Sequence, residues 1–158
     1  MAAKNEVPMA LRAAYLALHR RSEARFVRHG VTADQFVLLA RLAREQALTQ
    51  RELARRMPSD PSTVRAMLVL LERKGLVRRD SHPTDSRART VAITGAGKRK
   101  FRELWNAGEP IRAQMYDSLR PGEAETLVRL LTQVAEALNA DNLQVAAAPS
   151  VQTQEDEI

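Results

Sequence analysis

The chain contains no cysteine, which excludes a disulfide framework, a thiolate metal site, a cysteine nucleophile and a thiol redox switch. It has no apolar run near the ~20 residues that cross a bilayer. Residues 1–30 lack the uninterrupted apolar stretch of a signal peptide, because Lys4, Arg12, Arg20, Arg21, Arg25 and Arg28 break them up. The cytoplasm is therefore the expected location, with no membrane partner. A glycine-rich phosphate loop and a serine, histidine and acid constellation are also missing, so an enzyme and a cofactor are not expected. The three histidines, His19, His29 and His82, are scattered and show no ligand spacing, which argues against a metal.

What is present is a 158-residue chain, 44% hydrophobic and 28% charged, the size and balance of one domain or of one domain with a short appendage. Its formal net charge of +6 is unevenly spread: residues 48–100 carry a net +8 and residues 121–158 a net −6. A cation concentrated in a third of the chain suggests a polyanionic partner, most simply nucleic acid, although a solvated surface accounts equally for charge alone.

Helix caps organise the chain. Leu11, Tyr15, Leu18, Ser22 and Phe26 recur at helical spacing and Gly30 supplies a stop, predicting a first helix over roughly Val7 to His29. Thr32 and Gln35 form a capping box, with Val31 and Phe36 as its staple, and open a second helix carrying Val37, Leu39 and Leu42. Thr49 and Glu52, with Leu48 and Leu53, repeat the device for a short third helix that Pro58 should end. Asp60 and Pro61 read as N-cap and first residue of a fourth helix running to Lys74, closed by Gly75 with Leu71 and Leu76 at the touching positions of a Schellman ending.

Leu76 to Arg79 and Thr90 to Ile93 then predict a hairpin around a polar loop. Thr94 caps a long fifth helix with Phe101, Leu104, Gly108, Ile111, Met115 and Leu119 in one stripe, kinked near Asn106 to Glu109 by Gly108 and Pro110. Pro121 and Gly122 turn into a sixth helix bearing Leu127, Leu130, Leu131, Val134 and Leu138; from Asp141 the pattern stops and a flexible acidic tail is expected.

The short helix, turn and longer helix between Thr49 and Gly75 have the spacing of a helix-turn-helix, and the hairpin makes it winged. The fold class is thus mainly α with a small β-hairpin wing. In such a unit Ser62, Thr63 and Arg65 stand where polar groups meet base edges in the major groove, and Arg87 and Arg89 sit on or near a loop able to enter the minor groove. The competing reading of Arg78, Arg79, Arg87 and Arg89 is a strand edge charged against aggregation. Asp85 at the loop tip can orient a guanidinium by bidentate pairing.

The motifs Thr49-Gln50-Arg51-Glu52-Leu53-Ala54, Asp60-Pro61-Ser62-Thr63-Val64, Leu71-Glu72-Arg73-Lys74-Gly75-Leu76-Val77-Arg78-Arg79, Asp85-Ser86-Arg87-Ala88-Arg89 and Ile93-Thr94-Gly95-Ala96-Gly97 resemble the DNA-binding core of the MarR family of bacterial transcriptional regulators. The resemblance implies a homodimer interlocked through residues 1–30 and 101–140, a winged helix-turn-helix over 31–100, a tail over 141–158, and a palindromic operator on double-stranded DNA. It assigns DNA contacts to Thr49, Gln50, Ser62, Thr63, Arg65, Arg87 and Arg89, with Asp85 and Arg89 stabilising the wing. It also implies release by a small aromatic or phenolic effector, for which Arg12, Tyr15 and His19 are the candidates; the plainer expectation places Tyr15, Phe101 and Trp105 in the core. The chain departs from the family at Ala66, where some relatives are basic, and at Val69 and Leu70, where many carry an acid and an arginine. Extra packing of the helix against its own body is the simple expectation for that apolar pair. A winged-helix architectural or interaction module without sequence preference is the alternative function.

Overall fold

The computed structural model describes residues 2–146 other than 46 and 58. The chain divides into two compact units, Met1–Ala113 and Gln114–Ile158.

In the first unit, α1 spans Ala2–Phe26. It begins earlier than the apolar stripe because alanine, lysine and glutamate before Val7 favour helix, and it carries Pro8 inside it at the cost of one backbone hydrogen bond. A 3-10 turn, Val27–His29, and Gly30 at φ 74° end it. Glu23 on α1 accepts from the Ala33 amide at 2.7 Å and so ties α1 to the start of α2, Ala33–Arg44. The Thr32–Gln35 capping box is closed in both directions. Of the residues expected on this helix, Leu39 and Leu42 are buried, but Val37 is exposed and Leu38 takes the core position.

A two-residue strand, β1 (Leu48–Thr49), leads into α3, Gln50–Arg56. The Thr49–Glu52 box starts α3 and Met57 caps its end; Pro58, the expected stop, lies outside the described residues. Next comes α4, Pro61–Arg73, which Asp60 caps by accepting from the Thr63 amide at 2.9 Å. Its ending is a complete Schellman motif: the Leu76 amide donates to Leu71 and the Gly75 amide to Glu72, each at 2.9 Å, with Gly75 at φ 70°.

The wing follows as β2 (Val77–Ser81) and β3 (Arg89–Ile93), in antiparallel register from Val77↔Ile93 to Ser81↔Arg89. β1 pairs with the other edge of β3 and makes it the central strand. Thr94 caps α5, Gly95–Ala107. The expected long helix is interrupted at Gly108 and resumes as α6, Glu109–Asp117. Gly108 keeps right-handed helical angles, but Pro110 has no amide to donate, the Ile111 amide turns to the Gly108 carbonyl at 3.1 Å, and the Arg112 guanidinium donates to the Trp105 carbonyl at 2.7 Å, so the helix resumes after a local change of hydrogen bonding. Leu38, Leu39, Leu42, Leu53, Val64, Leu68, Leu71, Val91 and Leu104 are fully buried and join α2, α3, α4, β3 and α5 in one aliphatic core.

In the second unit, Gly122 at φ 83° turns the chain into α7, Glu123–Ala146. α7 runs past Asp141, where an end was expected, because the residues from there to Ala146 include no helix breaker. The remainder of the expected tail, 147–158, lies outside the described residues. No helix among the described residues is long and apolar enough to cross a membrane.

Candidate nucleic-acid interface

The first turn of α4 presents Ser62, Thr63 and Arg65 to solvent, while Val64, Met67, Leu68 and Leu71 anchor the opposite face in the core. Asp60 holds this turn twice, accepting from the Thr63 amide and, at 2.6 Å, from the Thr63 hydroxyl. Those two hydrogen bonds hold the Asp60 carboxyl below its ordinary value. The Thr63 oxygen remains an acceptor, and the Ser62 hydroxyl and Arg65 guanidinium have no partner among the described residues. Thr49 spends its hydroxyl and its amide on Glu52, so it acts first as the cap that sets α3 in place; Gln50, beside it, is half-buried.

The wing carries Arg87 and Arg89 exposed, with Arg87 in the loop at the tip. Asp85 does not pair with a guanidinium there. Its carboxylate accepts from the Arg87 backbone amide at 3.0 Å, and the Ala88 amide returns to the Asp85 carbonyl at 3.2 Å, an Asx-type turn that fixes the loop through the main chain. Asp85 therefore shapes the wing by a different bond from the one anticipated.

The sequence reading missed the contact that joins wing to helix. Arg79 on β2 donates from Nε and Nη2 to Glu72 on the last turn of α4, at 2.8 and 3.0 Å, a two-pronged ion pair. Hydrogen bonding to Arg79 holds the Glu72 carboxyl below its ordinary value, with Arg89 adding a weaker attraction, and raises Arg79. One strand arginine thus belongs to the scaffold rather than to a charged edge. Its signal was the seven-residue separation across a Schellman turn, which brings the last helical turn beside the new strand. A second brace lies behind: Thr94 donates its hydroxyl proton to the Gly75 carbonyl at 2.6 Å and accepts from the Gly97 amide at 3.0 Å.

On α1, Tyr15 and His19 stack with ring centroids 5.7 Å apart, His19 lies 4.0 Å from the Asp34 carboxylate, and Arg12 is exposed on the same helix. Tyr15 is 54% exposed and so is not a core residue of the chain. Trp105 is likewise exposed, with the Arg112 guanidinium 3.8 Å above its ring, whereas Phe101 packs against the core beside Phe36. Leu70 corrects another expectation: it is 46% exposed on α4 rather than packed on its own body, and Val69 is only half-buried. Helical spacing identified these faces without saying what covers them.

Comparison with known proteins points the same way as the geometry. The MarR family model matches residues 31–88, the stretch that holds α2, α3, α4 and most of the wing. The HTH-type transcriptional repressor MdtR of Bacillus subtilis is 27% identical over 140 residues, which is 89% of this chain and 90% of MdtR. Sco3205, a MarR family transcriptional regulator of Streptomyces coelicolor solved in complex with DNA, superposes with a TM-score of 0.78 at 25% identity, covering 87% of this chain and 89% of that one. BpsR of Bordetella bronchiseptica, whose DNA binding is regulated by 6-hydroxynicotinic acid, superposes with a TM-score of 0.74 at 26% identity over 82% of this chain and 92% of BpsR.

Proposed function

The chain belongs to the MarR family of transcriptional regulators, and on that footing we propose that it is a homodimeric repressor that grips a palindromic operator with two winged helices and releases it when a small aromatic acid binds. The observation that carries this reading is the pairing of an exposed Ser62 hydroxyl and Arg65 guanidinium, without a partner among the described residues, on a capped helix N-terminus with an exposed Arg87 on a fixed loop. Major-groove reading needs the first and minor-groove insertion the second.

A second copy is called for by apolar faces that the chain leaves uncovered. Leu11, Tyr15 and Leu18 on α1 are exposed, as are Leu127, Leu130, Leu131 and Leu138 on α7. Twofold pairing would bury them and set two α4 helices about 34 Å apart, one turn of duplex. Arg12, Tyr15 and His19 offer a cation, a phenol and an imidazole to an aromatic carboxylate, the ligand class named for BpsR.

Selection of bound duplexes from a random pool tests the core of the proposal, and an inverted repeat is the expected product. A salt series then separates the alternatives: a specific regulator keeps a ratio of at least ~10³ between selected and scrambled duplex, whereas an architectural module loses both together. A panel of aromatic acids that neither raises the melting temperature nor frees the operator would remove the effector from the proposal.

A further inference from the structure

The outer face of α4 is half apolar. At about 100° per residue, Ser62, Ala66, Leu70 and Arg73 fall within a sector of about 80°, centred opposite the buried Val64, Met67, Leu68 and Leu71. All four are exposed, and Leu70 ranks among the large apolar side chains that folding leaves outside. The stripe thus changes character along the helix, a hydroxyl in the first turn, a methyl in the second, an isobutyl group in the third and a cation at the end. From Ala66 to Leu71 no side chain of α4 offers a hydrogen bond to a base, and the Glu72 carboxylate that follows is taken up by Arg79.

We propose that Ala66 and Leu70 are specificity-determining residues that recognise thymine 5-methyl groups in the major groove of the operator. The proposal rests on the operator reading above and extends it to the base type read. Ser62 to Leu70 spans about 12 Å along the helix, comparable to three or four base-pair steps and to the width of the groove. Over that length the base-edge feature that an alkyl group recognises best is the thymine methyl, because the other major-groove groups are either bare C–H edges with less apolar surface or donors and acceptors that an alkyl contact leaves without a partner. An apolar patch continuous with Ser62 on the groove face therefore favours A·T pairs in the middle of each half-site. Arg73 lies one further turn along, on the same face, placed for the phosphate wall rather than the bases.

The experiment uses the full chain and its selected operator, with each thymine replaced in turn by uracil, which removes the methyl and nothing else. Burial of one methyl predicts a loss of roughly fourfold per sensitive thymine, and roughly sixteenfold when both half-sites are changed. In Leu70→Ala the cost should vanish at one thymine, and in Ala66→Gly at a different one, while the remaining thymines behave as in the unmodified protein. Both positions are exposed, so the variants fold, and a melting curve with retained salt-dependent binding verifies it. If no uracil substitution costs anything, or if its cost is the same in the variants, the assignment is overturned although the operator reading stands. If selection returns no preferred duplex at all, the operator reading itself fails.

Discussion

Gly97 is the residue at which a single added carbon should do most harm. A Cβ built there would lie 2.0 Å from the Leu76 carbonyl oxygen, 2.6 Å from Ile93 Cγ1 and 3.0 Å from the Leu76 carbonyl carbon, so the Leu76 backbone and the Ile93 side chain must retreat by about an ångström. The Leu76 carbonyl is not free to move, since it accepts from the Thr94 amide at 3.1 Å. Overpacking of about 1–3 kcal/mol and one lost backbone hydrogen bond of about 1 kcal/mol oppose a helix-propensity gain of about 0.5–1 kcal/mol, leaving a net loss of about 2 kcal/mol. For a unit of this size that is a fall in Tm of about 10 °C. Gly95→Ala is the control, because its Cβ meets only Arg99 Nη1 at 3.6 Å, an ordinary contact, and the helix gains an alanine. Circular dichroism melts of the two variants against the unmodified chain settle the matter. Should Gly97→Ala melt within about 2 °C of Gly95→Ala, the close approach of α5 to the Leu76 backbone would be wrong.

Arg87→Ala should weaken operator binding while leaving the ranking of sequences intact, whereas Arg65→Ala should also flatten that ranking; titrations against a set of single-base operator variants distinguish the two, and equal uniform losses would count against these roles. Leu131→Glu, placing a charge on an exposed apolar position of α7, should convert a sedimenting dimer to monomer and with it abolish tight operator binding. Glu72→Gln should reduce stability at neutral pH by the worth of a solvent-screened pair, about 0.5–1 kcal/mol, and so lower Tm by a few degrees. Glu72 and Glu103 both titrate below the ordinary 4.5 in the folded chain, so their stabilisation is complete above about pH 4.5 and is lost as pH falls through the folded values. The Gln variant should accordingly show a shallower acid loss of Tm than the unmodified chain.

Much of this fold was legible because helix caps are local chemistry. Thr32 with Gln35, Thr49 with Glu52, Asp60 with Pro61 and Thr94 each start a helix where their spacing says, and Gly75 ends one as its neighbours require. β1 escaped notice since two residues carry no periodicity and exist as a strand only through pairing with β3. The exposure of Tyr15, Trp105 and Leu70 escaped for another reason: an apolar residue at helical spacing marks a face, and only tertiary structure says whether that face is covered. In the candidate interface, Ser62, Thr63, Arg65 and Arg87 stand exposed where the motifs placed them. The Arg79–Glu72 clasp and the backbone role of Asp85 depend on how the chain turns between elements, which the residue types alone do not encode.

The hydroxyl of Thr94, shared between Gly75 and Gly97, has a mechanical corollary. With the neighbouring peptide also locked and Gly97 seated against it, the rear of α4 has no joint of its own. A push delivered along α5 is then expected to carry helix and hairpin together as one tool head, and in the proposed regulator an off-switch would re-aim that head rather than loosen the blade.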